Sequence, residues 1–236
     1  MNLGIIAAGD GSRLASEGVD LPKPLVCIDG QPMIGRLVRI FENLDADCIS
    51  VIVNERMKEV GEYLHKLKPM LRCRLDIVVK STPSSMHSFH ELASLLRAHG
   101  RFILTTVDTI FRESDFRRYA EAFEKAPEGI DGMMAVTRHI DDEKPLYVET
   151  DPEMYITAFR DNAWEDAEYI SGGIYGLGGK AIDVLDRCIA EGVERMRNYQ
   201  RALVADGLRL KAYDMGTILD VDHAGDIAKA NSFVRS

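Results

Sequence analysis

Leu3-Gly4-Ile5-Ile6-Ala7-Ala8-Gly9-Asp10-Gly11-Ser12-Arg13-Leu14, with Pro22-Lys23-Pro24-Leu25 close behind it, is the stretch on which the reading of this chain turns. Leu3–Ala8 is a continuous apolar run, the pattern of a strand buried on both faces of a parallel sheet. It ends at glycines that permit a tight turn and let backbone N–H groups approach an anion. By itself such a GxG loop is a weak signal, its alternative being a plain strand-to-helix connection. A dinucleotide fingerprint needs a third glycine where this chain has Leu14, which disfavours a Rossmann oxidoreductase, and no GK[ST] follows for a P-loop. Lys23 lies between two prolines, each of which sets its own φ and restricts the residue before it. The alternative for Lys23 is a stiff surface turn with a solvated side chain.

Outward from this stretch, strand-like and helix-like segments alternate. Met33–Asn43 places Met33, Ile34, Leu37, Ile40 and Phe41 at helical spacing. Cys48–Val53, Leu75–Val79 and Arg101–Val107 read as further strands, and 57–66 and 89–98 as helices. A helix over 114–125 is expected to start with Ser114 as its N-cap. Such alternation predicts right-handed βαβ units in a doubly wound, mostly parallel Rossmann-like α/β sheet. Its ligand site belongs beyond the carboxyl ends of the strands, where the Gly9 loop and Asp108 both fall. After Gly132 the pattern changes: 133–137, 146–150 and 155–160 read as strands, with Asp151-Pro152-Glu153 as a turn. This predicts a small antiparallel insertion forming one wall of a pocket. Strands over 170–177 and 210–213 and helices over 180–191 and 227–234 complete the reading. No linker or internal repeat interrupts residues 1–236, so a single domain is expected.

Composition narrows the function classes. The chain has 46% hydrophobic and 28% charged residues, a globular balance with enough apolar material for a core. Its net charge of -9 argues against a nucleic-acid partner bound through a broad basic face, but leaves room for a phosphate held by a local nest. The N-terminal apolar run soon meets Asp10 and Arg13 and has no basic leader, and no run approaches the ~20 residues needed to span a bilayer. A cytoplasmic protein is expected, with no membrane partner. Cys27, Cys48, Cys73 and Cys188 are scattered without a CxxC pair and read as reduced thiols.

Ala7-Ala8-Gly9-Asp10-Gly11-Ser12-Arg13-Leu14 followed by Pro22-Lys23-Pro24-Leu25 resembles the signature of the sugar-1-phosphate nucleotidyltransferase superfamily. That superfamily includes sugar-nucleotide pyrophosphorylases, bacterial phosphocholine cytidylyltransferases and molybdenum-cofactor nucleotidyltransferases. The resemblance implies a Mg²⁺-dependent enzyme whose partners are a nucleoside triphosphate and a phosphorylated small molecule, with release of pyrophosphate. It implies that Ala8, Gly9, Gly11, Ser12 and Arg13 wrap the triphosphate, with Arg13 on its leaving part and Lys23 at the α-phosphate. The Pro-Lys-Pro-Leu element is closer to the sugar type than to the molybdenum-cofactor type. A sugar 1-phosphate is the leading acceptor, and phosphocholine the second. A catalytically inactive regulatory binder of nucleotide sugars is the reading of another class, against which the retained Lys23, Asp108 and Asp222 argue.

Phosphoryl chemistry of this kind uses a cation, and Mg²⁺ takes hard oxygens, usually one or two carboxylates with phosphate and water. Asp108, after the fourth strand, stands where the family carries its metal aspartate; capping the next element is its alternative role. Asp220-Val221-Asp222-His223 resembles the late Asp-x-Asp element, with Asp222 the favoured ligand and Asp220 its neighbour or second ligand. Alternation would put both on one face of an extended segment, although either aspartate could instead cap the last helix. His223 reads as a polar neighbour, because the acceptor phosphate is already ionised. In the serine-rich run Ser81–Ser88, Ser84 and Ser85 are expected at the base and ribose, or simply as an N-cap cluster. Ser171-Gly172-Gly173-Ile174-Tyr175 resembles the strand bordering the acceptor, which points to Gly173 and to Glu168 upstream as acceptor residues, with a solvated surface side chain the equal alternative for Glu168. Trp164, among acids, reads either as a site for a quaternary ammonium or as a loop anchor.

Overall fold

The structure, a computed structural model, describes residues 1–98, 100–141 and 143–236. The chain opens with β1 (Asn2–Ala7), the short α1 (Ser12–Ser16), a 3-10 turn over Lys23–Leu25, the ribbon of β2 (Cys27–Ile28) and β3 (Gln31–Pro32), and α2 (Met33–Asn43). Next come β4 (Cys48–Val53), α3 (Lys58–Leu67), β5 (Arg74–Val79), α4 (Ser85–Arg97), β6 (Phe102–Thr106), β7 (Thr109–Ile110) and α5 (Glu113–Glu124). The remainder is β8 (Gly132–Thr137), β9 (Tyr147–Thr150), β10 (Ile156–Arg160), β11 (Tyr169–Leu177), α6 (Gly179–Ala190), α7 (Met196–Ala205), β12 (Leu210–Asp214), β13 (Leu219–Asp220) and α8 (Ala224–Arg235).

Among the described residues one large sheet runs β10-β9-β11-β6-β1-β4-β5, with β8 pairing β11 and β12. Its centre is parallel: β1 lies between β4 and β6, and β5 adds to β4 in register from Cys48↔Arg74 to Val53↔Val79. The antiparallel β11 joins that centre to the β9–β10 hairpin. The doubly wound, mostly parallel α/β architecture with an antiparallel insertion is therefore present.

Strand alternation divides the core. Leu3, Ile5 and Ala7 of β1 face one apolar layer, where α2, α5 and β4 contribute Ile34, Phe41, Phe116 and Val51. Ile6 and Ala8 face the other, shared with Phe89 of α4, Leu185 of α6 and Tyr199 of α7. Both faces of β1 are buried, which is why its residues from Leu3 to Ala7 are all apolar. Two sequence expectations need correction. Helix α5 starts at Glu113 with Arg112 at the N-cap position, and Ser114 lies inside the first turn rather than capping it. Glu113 and Asp115 complement the dipole there, so the start needs no hydroxyl cap. Helix α7 was not expected; its inward residues Met196, Tyr199, Gln200 and Leu203 follow helical spacing but include a glutamine, buried at 2% exposure.

Candidate active site

The carboxyl ends of β1, β4, β5 and β6 open onto a cleft of about 720 Å³. The loop after β1 lines it with Ala8, Gly9, Gly11, Ser12 and Arg13, and Ser84 and Ser85 line it from the start of α4. Gly11 has φ +64°, and a Cβ there would come 3.0 Å from Cβ of Lys23. The glycine thus serves both the left-handed turn and the approach of the loop to Lys23. Ser84 occupies the N-cap position of α4, but its hydroxyl pairs with Nδ1 of His87 at 2.9 Å. The helix starts at Ser85, four residues earlier than its apolar spacing suggests.

Lys23 is the centre of the charge arrangement. Its Nζ donates to Asp108 Oδ2 at 2.5 Å and to Asp222 Oδ1 at 2.6 Å, and Arg13 Nη1 reaches Asp222 Oδ2 at 2.6 Å. Burial works against the Lys23 ammonium, yet the fields of Asp108 and Asp222 outweigh it and hold its pKa above the ordinary value. Burial likewise opposes the Asp108 carboxylate, and the Lys23 charge with hydrogen bonds from Lys23 and Thr106 keeps its pKa below the usual one. A small ribbon brings the two aspartates together. Strands β7 and β13 pair through Leu219↔Ile110 and Asp220↔Thr109, and the Val221 amide donates to the Asp108 carbonyl at 3.1 Å.

A second pocket of about 290 Å³ shares Arg13 and Asp222 with the cleft. Its walls are the loop after β8, the first part of β11, the Ile218–Asp222 segment and the first turns of α8. Asp220 lines this pocket, whereas Asp222 stands at the junction of both. Neither aspartate takes the N-cap position of α8: that is His223, whose amide, like that of Asp222, donates to Asp226 Oδ2. Ser171 and Gly172 line the pocket, while Glu168 and Gly173 line neither cavity. Glu168 is exposed and 3.4 Å from Arg138 Nη2. Gly173 sits at a register shift of β11 with φ +71°, where a Cβ would meet Thr109 Oγ1 at 2.8 Å; its part is to let β11 pass the β7 ribbon. Trp164 also lies outside both cavities, edge-on to Tyr147 and beneath the Arg160 guanidinium, which makes it an anchor of its loop.

Two residues escaped the sequence reading. Asn54, 7% exposed, donates from Nδ2 to the Ala8 carbonyl at 3.0 Å and accepts from the Arg56 amide and the Ser81 hydroxyl. It ties together three loops of the cleft, and Arg56 beside it lines the wall. The strand-end rule that singled out Asp108 points equally to Asn54, the residue after β4. Glu17, just beyond α1, accepts from the Ala224 amide at 2.6 Å and pairs with His223 Nδ1 at 2.6 Å. That contact clasps the glycine loop to the start of α8. Hydrogen bonding to Glu17 raises the His223 pKa, with its partner's lowered correspondingly.

No group of three or more His, Cys, Asp or Glu side chains among the described residues forms a metal cage. Asp108 and Asp222 do converge on one cation, the Lys23 ammonium, and so present a pair of hard oxygen donors. A pair suits Mg²⁺, which completes its shell with phosphate and water, better than a metal held by protein alone. Among the described residues, no helix is long and apolar enough to cross a membrane.

Comparison with known proteins places the chain in a family and shows its fold elsewhere. The mannose-1-phosphate guanyltransferase of Schizosaccharomyces pombe (strain 972 / ATCC 24843) is 30% identical over 187 residues, which are 77% of this chain; the chain spans about half the length of that relative, 51%. Many solved structures share the fold. The inositol-1-phosphate CTP transferase of T. maritima superposes with a TM-score of 0.81 at 18% identity, covering 100% of this chain and 96% of the other. A protein of Bacillus anthracis described as a glucose-1-phosphate thymidylyltransferase superposes at 0.85 and 20% identity, with the same coverage. Residues 4–166, which carry the glycine loop, Lys23, Asn54, the serine run and Asp108, match the family model of the MobA-like NTP transferase domain, and the chain belongs to that family.

Proposed function

We propose that this chain is a Mg²⁺-dependent nucleotidyltransferase that joins a nucleoside triphosphate to a phosphorylated small molecule, with a sugar 1-phosphate as acceptor, and releases pyrophosphate. The observation that carries the reading is Lys23 Nζ, held between Asp108 and Asp222 where the large cleft meets the smaller pocket. The cleft has the size of a nucleotide site, and the pocket that of a smaller acceptor. Asp108 and Asp222 would hold the metal, with Asp220 facing the acceptor. The ion, when bound, would neutralise phosphate charge.

In the reaction an acceptor phosphate oxygen attacks the α-phosphorus, the bond to the α–β bridging oxygen breaks, and pyrophosphate departs. The acceptor phosphate is ionised at neutral pH, so no side chain is needed to take a proton from it. Lys23 opposes the charge that builds on the α-phosphoryl group, and Arg13 that on the leaving pyrophosphate; such fixed charges act where charge develops. Loop amides from Gly9 to Ser12 hold the triphosphate, while Ser84 and Ser85 face the nucleoside.

The test incubates each of the four nucleoside triphosphates with Mg²⁺ and a panel of sugar 1-phosphates and phosphocholine, and measures pyrophosphate. Turnover with a sugar 1-phosphate, lost in Asp108→Ala, is the expected result. Turnover with phosphocholine alone would move the acceptor to the amino-alcohol class. Nucleotide binding without turnover across the panel would favour a regulatory binder.

A further inference from the structure

A third cavity, of about 600 Å³, lies between α2, the start of α5 and the last turn of α8. It shares no lining residue with the cleft or the smaller pocket. Four arginines line it: Arg36 and Arg39 from α2, Arg112 before α5, and Arg235 at the end of α8. The acids beside them are already engaged. Asp29 accepts from Arg235 Nε at 2.9 Å, and Glu113 accepts from Asn43 at 3.2 Å and from Arg117 at 3.4 Å. Among the described residues, Arg36, Arg39 and Arg112 have no carboxylate within ion-pair distance. Arg112 lies over the Phe233 ring and donates to the Ser236 hydroxyl.

Arg36 is the unusual member. It is only 7% exposed, its Nη2 donates to the Phe111 carbonyl, and its buried Nη1 has no hydrogen-bond partner. A buried charged donor without a partner is costly, and arginine does not shed its proton to escape that cost. Gathering three guanidinium groups at one cavity adds like-charge repulsion; burial lowers the Arg36 pKa and outweighs Glu113 and Asp29, which favour its charge. The field of a dianion among the three arginines offsets both penalties.

We propose that this cavity is a second anion site, which takes the phosphate group of a small phosphorylated molecule between the guanidinium groups of Arg36, Arg39 and Arg112. Planar guanidinium forks match phosphate oxygens in pairs, and the volume leaves room for the rest of a molecule of nucleotide or sugar-phosphate size. The site adjoins the catalytic frame at two points. Phe111, the partner of Arg36, is three residues beyond Asp108, and α8 runs from His223 beside Asp222 to this cavity. The proposal does not depend on the reaction assigned to the cleft.

Inorganic phosphate is the probe, titrated into the ¹⁵N-labelled full chain with chloride at matched ionic strength as control. Saturable shifts are expected at the amides of Arg39, Phe111 and Val234, separable from any at Gly11 and Ser12. Both Arg39 and Arg112 are exposed, so the double variant Arg39→Gln/Arg112→Gln retains the fold. It should weaken phosphate affinity at the cavity, read from the saturation of those shifts, by about tenfold or more and leave the response at Gly11 and Ser12 unchanged. Shifts confined to the glycine loop, shifts reproduced by chloride, undiminished affinity in the double variant, or no saturable shift would each overturn the proposal.

Discussion

The Val221 amide donates to the Asp108 carbonyl at 3.1 Å, and this single backbone bond extends the β7–β13 ribbon so that Asp108 and Asp222 flank one ammonium group. The aspartates come from strand ends more than a hundred residues apart in sequence, and the distances from each to Lys23 Nζ, 2.5 and 2.6 Å, show how closely that ribbon sets them.

Lys23→Ala removes the cation between two carboxylates. Loss of one partner from a largely buried ion pair costs about 3 kcal/mol, because Asp108 is left without its cation while Asp222 keeps only Arg13. The variant should unfold at lower denaturant concentration, and pyrophosphate release should fall about a hundredfold or more, since the lost charge acts where charge develops. Urea unfolding together with a pyrophosphate assay checks both.

Gly11→Ala places a side chain at φ +64° and 3.0 Å from Lys23 Cβ. The left-handed conformation alone costs about 1 kcal/mol, and the contact adds to it by pushing the loop from Lys23. Nucleotide affinity should drop more than stability does. Isothermal titration with the nucleoside triphosphate, set beside thermal unfolding, separates the two effects.

Asn54→Ala leaves the Ala8 carbonyl, the Arg56 amide and the Ser81 hydroxyl without the partner that joins them. Unsatisfied buried groups cost about 1–3 kcal/mol. The expected result is a lower unfolding midpoint and a raised KM for the nucleotide with a smaller change in kcat, because Asn54 shapes the cleft without touching reacting atoms.

Glu17→Gln weakens the clasp between α1 and α8 while keeping its shape. The charge facing the N-terminus of α8 and His223 disappears, and both contacts lose strength. Steady-state kinetics should show raised KM for both substrates, because Arg13 and Asp222 on the two sides of the clasp line both pockets.

Asp131 accepts from the Arg209 amide and the Lys180 ammonium, each at 2.9 Å, and so fastens the start of β8 to β12 and α6. Burial pushes its carboxyl up, but the Arg209 amide and Lys180 overcome this and hold it below its ordinary value of 3.8. A depressed carboxylate contributes stability that is present above the unfolded value and is lost as pH falls through the folded one. Asp131→Asn should therefore lower stability at neutral pH and flatten its decline below about pH 4, as measured by unfolding at stepped pH.

Features whose physics is local were legible in the chain. Apolar periodicity marked β1, α2 and β4, since burial on both faces or on one stripe leaves its period in the chain. The glycines and the paired prolines marked the loop and Lys23, since φ restrictions belong to single residues. Strand ends then marked Asp108, and the same rule would have reached Asn54. Which side chains share a charge, which loops are tied, and which glycine lines a pocket emerge only once distant segments pack together. Asp222 meets Arg13 and Lys23, and Glu17 meets His223, through contacts formed by folding of distant segments, and no periodicity encodes such pairs. Gly173 and Glu168 illustrate the same limit: a matching motif placed them near an acceptor, but the β11 register shift turns one toward Thr109 and an exposed position pairs the other with Arg138. Local preference selects a conformation for each segment, whereas a site is made by the distances between segments, and those are set by packing of the whole sheet.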